Sequence, residues 1–284
     1  MKKLVIGIVV LVIAVVSFLS FGNGAANGGI TENAGYEILK KWELPDELSE
    51  ISGISWIGED RIACVQDEDG IIFIYNLKTS KVENTINFGS GGDYEGITVI
   101  GDNAYVLRSD GVVFEISNFE SAGREVTKHE TDLFQIKGMN LEGLAADPEN
   151  NRLLLAVKQI KGVTDSKEIF AFDLDRKNTG KEPIFRVELA DPIFKGVQGK
   201  LKSKFSPGEI AIHPQTKEIY ILDGTNPKIL IADKNGTLKD LLILQSRDFV
   251  NPEGLTFSPR GEMYISNEAD SGGAANILRV SLNK

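Results

Sequence analysis

The stretch Leu141-Glu142-Gly143-Leu144-Ala145-Ala146-Asp147-Pro148 recurs almost unchanged as Pro252-Glu253-Gly254-Leu255-Thr256-Phe257-Ser258-Pro259. Its first half appears as Tyr94-Glu95-Gly96-Ile97-Thr98-Val99, and looser copies are Ile51-Ser52-Gly53-Ile54-Ser55-Trp56 and Gly208-Glu209-Ile210-Ala211-Ile212-His213-Pro214. The copies are spaced by 43, 47, 66 and 45 residues, counted on Gly53, Gly96, Gly143, Glu209 and Gly254. Such a period is typical of a solenoid, a propeller or an array of repeats.

One repeat shows what each unit contains. Apolar segments 141–146, 152–157, 169–174 and 184–189 predict four short strands, and the polar residues 148–151 predict a turn between the first two. The other copies keep this order, and no segment has a helical stripe of apolar residues. A four-stranded meander of about 45 residues that repeats predicts an all-β fold, a β-propeller.

Five copies of the repeat predict five blades. A sixth blade inside the 66-residue interval is the alternative, but the excess over the neighbouring intervals is about 20 residues, too few for four strands. We therefore interpret residues 190–205 as an elaborated loop. The last repeat ends after its third strand, and residues 36–44 form an unassigned strand before the first repeat, so we predict that this N-terminal strand closes the ring in the last blade.

The N-terminus carries an export signal. Lys2 and Lys3 precede an apolar run from residue 4 to residue 21 without a charge, and residues 22–35 are rich in glycine and asparagine. We expect a signal peptide or a membrane anchor over residues 1–21, a flexible linker over 22–35 and a propeller domain over 36–284. The protein would then reside in the cell envelope, either periplasmic or held in the inner membrane by an uncleaved leader.

Composition excludes several classes of function. The formal net charge of −10 argues against nucleic acid as a partner and is compatible with cations or basic ligands. Cys64 is the only cysteine, which excludes an intrachain disulfide and a thiolate metal cluster. No nucleophile elbow, phosphate loop or dinucleotide fingerprint is present.

Propeller geometry predicts where a site would lie. The start of the first strand and the end of the second meet at the same end of each blade, and the first strand is the innermost. One mouth of the channel should therefore gather the following residues: Ser52, Glu95, Glu142, Gly208 and Glu253 from the first strands, and Asp67, Arg108, Lys158, Asp223 and Asn267 from the second.

The charges of these residues favour a cation. Two carboxylates about 6 Å apart repel by about 3 kcal/mol at an effective dielectric near 20, so several can stay ionised together only beside cations. Oxygen ligands suit Ca²⁺ or Mg²⁺, whereas two histidines in the whole chain are too few for a histidine-built zinc site. The candidate metal ligands are Glu95, Glu142, Glu253, Asp223 and Asn267, and the candidate ligand-binding residues are Asp67, Arg108 and Lys158. The alternative is that the glutamates only bond backbone amides or pair with Arg108 and Lys158.

The repeats also resemble a known family. The strings Leu48-Ser49-Glu50-Ile51-Ser52-Gly53-Ile54, Asn140-Leu141-Glu142-Gly143-Leu144 and Asn251-Pro252-Glu253-Gly254-Leu255, together with Tyr94-Glu95-Gly96-Ile97 and residues 205–214, are similar to the SdiA-regulated family of bacterial envelope proteins. The resemblance covers about residue 36 to the end. It implies a membrane-anchored or periplasmic β-propeller related to phytase-like and esterase-like propellers, and it carries no activity with it. Ser206-Pro207-Gly208 departs from the Glu-Gly pattern, so no complete ring of glutamates is inherited.

Three functions remain open at this point. The first is an envelope binding protein with a calcium site at the channel mouth, whose further ligand is a small molecule or an envelope protein. The second is a metal-dependent hydrolase of a lactone, an ester or a phosphoester, because a metal with open positions can polarise a carbonyl or phosphoryl group. The third is a protein-interaction scaffold.

Overall fold

The computed structural model describes residues 35–196 and 205–283. The expected leader at 1–21, all but the last residue of the expected linker at 22–35, and residues 197–204 of the expected loop lie outside these ranges. Within them, helical structure is confined to three short 3-10 turns at Asp46–Leu48, Pro148–Asn150 and Pro192–Gly196. None of the helices described here is long and apolar enough to cross a bilayer.

Five antiparallel sheets form the described part of the chain, which confirms the five-bladed propeller. The chain starts with β1 (Tyr36–Glu43). The first blade is β2 (Ile51–Gly58), β3 (Arg61–Gln66), β4 (Ile71–Asn76) and β5 (Lys81–Asn87). The second is β6 (Tyr94–Ile100), β7 (Asn103–Arg108), β8 (Val112–Ser117) and β9 (Glu125–Glu130).

The third blade is β10 (Met139–Asp147), β11 (Arg152–Ile160), β12 (Ser166–Asp173), β13 (Asn178–Thr179) and β14 (Phe185–Glu188). Its outer edge is split, because β13 and β14 both pair with β12. The fourth blade is β15 (Pro207–Ile212), β16 (Ile219–Asp223), β17 (Lys228–Ala232) and β18 (Leu238–Ile243). The fifth contains β19 (Pro252–Phe257), β20 (Met263–Asn267) and β21 (Asn276–Leu282).

The N-terminal strand closes the ring as predicted. β1 pairs antiparallel with β21, from Tyr36 opposite Leu282 to Glu43 opposite Asn276, and becomes the outermost strand of the fifth blade. The indole Nε1 of Trp42 in β1 donates a 2.7 Å hydrogen bond to the carbonyl of Leu77 in the first blade. Both ends of the propeller domain are therefore held in one sheet.

The hydrophobic core is divided among the interfaces between blades. Each of five clusters joins two neighbouring blades; one, for instance, packs Ile72 and Ile74 of the first blade against Val106 and Phe114 of the second. Successive side chains of an inner strand point to opposite faces of the blade and pack against the blades on either side. Most residues of the inner strands are therefore buried. Each buried aliphatic side chain contributes about 1.5–3 kcal/mol, and closure of the ring brings all five interfaces together.

Four repeat glycines set how closely the inner strands approach. A Cβ added to Gly53 would lie 2.7 Å from Ile97 N, and one added to Gly143 would lie 2.8 Å from Ile210 N. Gly96 and Gly254 meet the next blade at similar distances. We call these four residues the glycine waist, because a Cβ at any of the four positions would collide with the next blade.

Candidate functional site

Every inner strand is irregular at the same point of the repeat. The pairing register with the second strand shifts in the following intervals: Ile51 to Ile54, Tyr94 to Gly96, Leu141 to Gly143, Pro207 to Glu209 and Pro252 to Leu255. A β-bulge adds a residue to one strand and turns its side chain away from the regular pleat. The glutamates predicted for the site, Glu95, Glu142 and Glu253, all lie in these bulges. Sequence spacing gave these positions in the repeat, but the bulge itself has no signal in the composition.

One lysine pairs directly with the site. Lys158 Nζ lies 3.2 Å from Glu142 Oε1, and the side-chain amide of Asn140 donates a 2.6 Å hydrogen bond to the same oxygen. The Glu142 residue is only 3% exposed. Burial alone would lower the pKa of Lys158, but the charges of Glu142, Glu253 and Glu95 outweigh it and raise the pKa. Lys158 is therefore a cation held among carboxyl groups, as predicted for a mouth that gathers both.

The pKa values of the other two mouth glutamates, Glu95 and Glu253, are strongly raised. Burial raises the pKa of Glu95 to about 9, with further upward contributions from the charges of Glu142 and Asp93. Burial likewise raises the pKa of Glu253 to about 8, assisted by the charge of Glu268. Because the same lysine stabilises both carboxylates only in part, they hold protons at neutral pH when no other cation is present. We call Glu95, Glu142 and Glu253 with Lys158 the glutamate mouth.

The fourth blade reverses the pattern and adds a glutamate that was not predicted for the site. Glu209 occupies the position of the waist glycine, while Gly208 occupies that of the mouth glutamate. Glu209 Oε1 accepts hydrogen bonds from Leu144 N at 2.7 Å and from Ile210 N at 2.9 Å, and its other oxygen, Oε2, is buried without a partner among the described residues. Burial raises the pKa of Glu209 well above its usual range, and the charges of Glu142 and Glu253 add to this effect. The reversed Gly-Glu order was the sequence signal for it.

Gly208 leaves space for the side chain of Glu253 in the fifth blade. A Cβ at Gly208 would lie 3.6 Å from Glu253 Oε2, and one at Gly224 would lie 3.3 Å from Glu253 Oε1. The Glu253 carboxyl group therefore lies over two glycines of the fourth blade, in space that a side chain there would restrict.

Asp223 is present at the site but already engaged. Its Oδ2 lies 2.6 Å from Lys228 Nζ, and both side chains are at most 1% exposed. The carboxylate also accepts hydrogen bonds from the backbone amides of Ser206 and Asn226, at 3.1 and 2.9 Å. Burial raises the pKa of Asp223 and lowers that of Lys228, while each group is opposed by its partner's charge. Lys228 was not identified from the sequence, because an apolar strand was expected there.

The remaining predicted residues differ in what they contact. Arg108 forms two 2.9 Å hydrogen bonds with the Asp110 carboxylate and does not pair with the mouth glutamates. Asn267 donates to Asn276 Oδ1 at 3.0 Å, and its own Oδ1 is buried without a partner in the described ranges. Asp67 also has a buried oxygen, Oδ1, without a described partner, and burial raises its pKa.

Two carboxylates beside the mouth were not predicted, Asp93 and Glu268. Their charges act on Glu95 and Glu253, and burial raises the pKa of Glu268 itself. Across residues 35–196 and 205–283, no three histidine, cysteine, aspartate or glutamate side chains converge closely enough to hold a metal ion as they stand. The calcium or magnesium site therefore stays a prediction.

The chain is similar to one known protein family. The family model described as SdiA-regulated matches residues 33–271. No curated protein sequence matches the chain.

Three solved structures with similar folds are distant in sequence. The glutaminyl cyclase of Myxococcus xanthus aligns with a TM-score of 0.59 at 14% identity, covering 87% of this chain and 96% of the other. The aldose sugar dehydrogenase of Streptomyces coelicolor, solved with bound PQQ, gives 0.53 at 11% identity over 87% and 97% of the two chains. A luciferin-regenerating enzyme gives 0.52 at 12% identity over 85% and 95%. At these identities the likeness concerns the fold alone.

Proposed function

The chain belongs to the SdiA-regulated family, and we propose that it is an exported envelope binding protein that holds a divalent cation, calcium, at the glutamate mouth. The observation that carries this proposal is that the charges of three glutamates from three different blades act on a single lysine, Lys158, which contacts one of them, Glu142, at 3.2 Å. Such an arrangement is costly unless a cation compensates for the charge. The apolar run at residues 4–21 supports export to the envelope.

The chemistry of the donor set fits a hard cation. Calcium takes six to eight oxygen ligands in flexible geometry, and carboxylates and amide oxygens are its usual donors. Burial and the neighbouring carboxylates raise the pKa values of Glu95 and Glu253 more than Lys158 lowers them, and a dication would replace their protons. The free oxygen of Asn267 adds a neutral donor. Asp223 contributes only if its bond with Lys228 opens.

Binding would require the glutamate side chains to rotate toward one another. Such a rotation is a change of side-chain rotamer and leaves the backbone of the bulges in place. Lys158 would give up its contact with Glu142 and become available to an anionic group of a ligand. The site would then present a metal ion and a lysine at one mouth of the channel.

Thermal unfolding tests the proposal directly. The purified protein is unfolded in chelator, in excess calcium and in excess magnesium, alongside Glu142→Gln and the exposed control Glu125→Gln. Calcium at 100 times its dissociation constant should stabilise the fold by about 2.7 kcal/mol, a rise of several degrees in Tm for a domain of this size. The rise should vanish in Glu142→Gln and persist in the control. An unchanged Tm with both ions would contradict the proposal and favour a protein-interaction scaffold.

A second candidate function is favoured by the protonated state of Glu95 and Glu253. A carboxyl group with a pKa of about 8 or 9 can donate a proton to a leaving group near neutral pH. If a metal held by Glu142 and Glu253 polarised the scissile group while Glu95 stayed off the metal and kept its proton, the mouth could hydrolyse a lactone, an ester or a phosphoester. The test is metal-dependent turnover of a panel of lactones, esters and phosphoesters. Turnover that is lost in Glu95→Gln and Asp223→Asn but kept in Glu125→Gln would favour hydrolysis over binding as the function.

A further inference from the structure

The channel widens again on the other side of the glycine waist. A cavity of about 400 Å³ is lined by the inner strands of all five blades, from Ile54, Ile97, Leu144, Ile210 and Leu255 outward to the opposite mouth. Its volume lies in the range of small-molecule sites. We call it the lower cavity. None of the mouth glutamates lines it, so it is a space separate from the glutamate mouth.

The wall of the lower cavity is divided into a polar and an apolar half. At one position of the repeat the inner strands carry Ser55, Thr98 and Thr256 in the first, second and fifth blades, which are adjacent in the ring. The third and fourth blades carry Ala145 and Ala211 at the same position. A bound molecule therefore meets hydroxyl groups on one side and methyl groups on the other.

Two of the hydroxyl groups are fixed in orientation by the backbone. Thr98 Oγ1 accepts a 3.1 Å hydrogen bond from Ala146 N, and Thr256 Oγ1 accepts one of 3.1 Å from Trp56 N. Each bond crosses from one blade to the next. A threonine hydroxyl that accepts from an amide still has its own hydrogen to donate. The polar half thus offers donors to an acceptor on a bound molecule.

The rim of the lower cavity is built for flat groups. Trp56 and Phe257 lie there with Pro148, Pro214 and Pro259, and the Trp56 ring packs on Tyr264 with the ring centroids 5.2 Å apart. Aromatic and proline faces contact planar rings well. No charged side chain of the described chain lines the cavity, which disfavours an ionic ligand.

From this arrangement we propose that the lower cavity is a second binding site, for a neutral, ring-containing small molecule with a hydrogen-bond acceptor at one edge. The ring lies between the rim and the alanines of the third and fourth blades, and the acceptor faces Thr98 and Thr256. The proposal does not depend on the cation site, because the glycine waist separates the two spaces.

Coumarin, a neutral aromatic lactone with a carbonyl acceptor, is a suitable probe. Its titration into the protein in chelator is followed by NMR on the two tryptophan indoles. Trp56 lines the cavity, whereas Trp42 lies outside it, in contact with Tyr264 and with its Nε1 bonded to the carbonyl of Leu77, and it serves as an internal control for direct contact. We expect a saturable shift of the Trp56 indole signal at sub-millimolar to millimolar probe and a stationary Trp42 signal. A non-saturating response, or equal shifts of both signals, would overturn the proposal.

Variants test the position and the polarity of the site. Ala146 corresponds in the repeat to Trp56 and Phe257, so Ala146→Trp places in the third blade a side chain that other blades already accommodate. It should weaken coumarin binding at least tenfold, while Glu125→Gln, on an exposed strand, leaves it unchanged. Thr98→Val should weaken it about fivefold, the loss expected for one hydrogen bond.

Two further ligands test the chemistry without any variant. Naphthalene, which lacks the acceptor, and coumarin-3-carboxylate, which adds a charge, should both bind more weakly than coumarin. Equal affinity for all three ligands, or unchanged binding in a folded Ala146→Trp protein, would overturn the assignment.

Discussion

Glu209 Oε1 accepts a 2.7 Å hydrogen bond from the backbone amide of Leu144 in the neighbouring blade. A carboxyl group of the fourth blade thus satisfies a backbone donor of the third. The same oxygen accepts from Ile210 N. Because Glu209 takes the place of a waist glycine, its side chain has become part of the interface between blades, whereas the second, third and fifth repeats place a glutamate at the mouth.

Replacing Glu209 separates its structural role from its charge. Burial raises its pKa well above the usual range, so glutamine matches the carboxyl group in shape and nearly in charge. Glu209→Gln should change the free energy of unfolding by at most about 1 kcal/mol, whereas Glu209→Ala leaves two buried amides without an acceptor and should cost about 2–5 kcal/mol. Urea denaturation of both variants measures the difference. An alanine variant as stable as the glutamine variant would contradict the assigned role.

The raised pKa values of two mouth glutamates determine how we expect the free energy of unfolding to depend on pH. The pKa values of Glu95 and Glu253 are about 9 and 8 in the folded protein. A glutamate in an unfolded chain has a pKa of about 4.3, so between that pH and pH 8 to 9 the native state binds more protons than the unfolded state. Their contribution is fully present below about pH 4.3 and is lost as the pH rises toward 8 and 9, by up to about 1.4 kcal/mol per pH unit for each group.

Urea denaturation between pH 5 and pH 9 in chelator measures this slope. Glu95→Gln and Glu253→Gln should each flatten it, and Glu125→Gln, on an exposed strand, should leave it unchanged. Excess calcium should also flatten the slope if the ion replaces the protons. Stability that rises with pH over this range in chelator would refute the protonated mouth.

The fold could be derived from the sequence because its main constraints are local and repeated. Four of the five repeats carry a glycine where the inner strands approach closely, and the fourth repeat carries Glu209 there, so the spacing of these five positions counted the blades. The closing strand was predictable because the last repeat lacked one strand and residues 36–44 had no partner. These features follow from backbone geometry and need no knowledge of side-chain contacts.

The details of the site could not be derived in the same way. Position at a strand end predicted that Arg108 and Asp223 lie near the mouth, but not that Arg108 would pair with Asp110, two residues away, or that Asp223 would pair with Lys228. Such choices depend on turn conformation and burial, which composition does not encode. The β-bulges that reorient the mouth glutamates depend on the pairing register of the strands, which composition does not encode either.

The buried pair of Asp223 and Lys228 gives a further prediction. Lys228 Nζ also donates a 2.8 Å hydrogen bond to the carbonyl of Asn226, so the pair fixes the turn between β16 and β17. Lys228→Met removes the cation and leaves the carboxylate buried, which should cost about 3–5 kcal/mol. The double variant Asp223→Asn with Lys228→Met should lose less than the sum of the single variants. Additive losses in a double-mutant cycle would show that the two groups are independent.

Ring closure rests on Trp42, which joins the N-terminal strand to the first blade. Its side chain is buried against Tyr264, with ring centroids 6.1 Å apart, and it bonds the carbonyl of Leu77. Trp42→Ala should cost about 3–5 kcal/mol by leaving a cavity at the point where the two ends of the domain meet. Trp42→Phe, which loses mainly the indole hydrogen bond, should cost about 1–2 kcal/mol.

The exposed neighbour Lys40 provides the control for this prediction. Its Nζ lies 4.4 Å from the Trp42 ring centroid, and Lys40→Ala should cost at most about 1 kcal/mol. Urea denaturation followed by circular dichroism measures all three variants. If β1 closes the ring, Trp42→Ala should also increase proteolysis at the N-terminal strand, because loss of its anchor lets it separate from β21. Equal stability of Trp42→Ala and Lys40→Ala would mean that the ring stays closed without this contact.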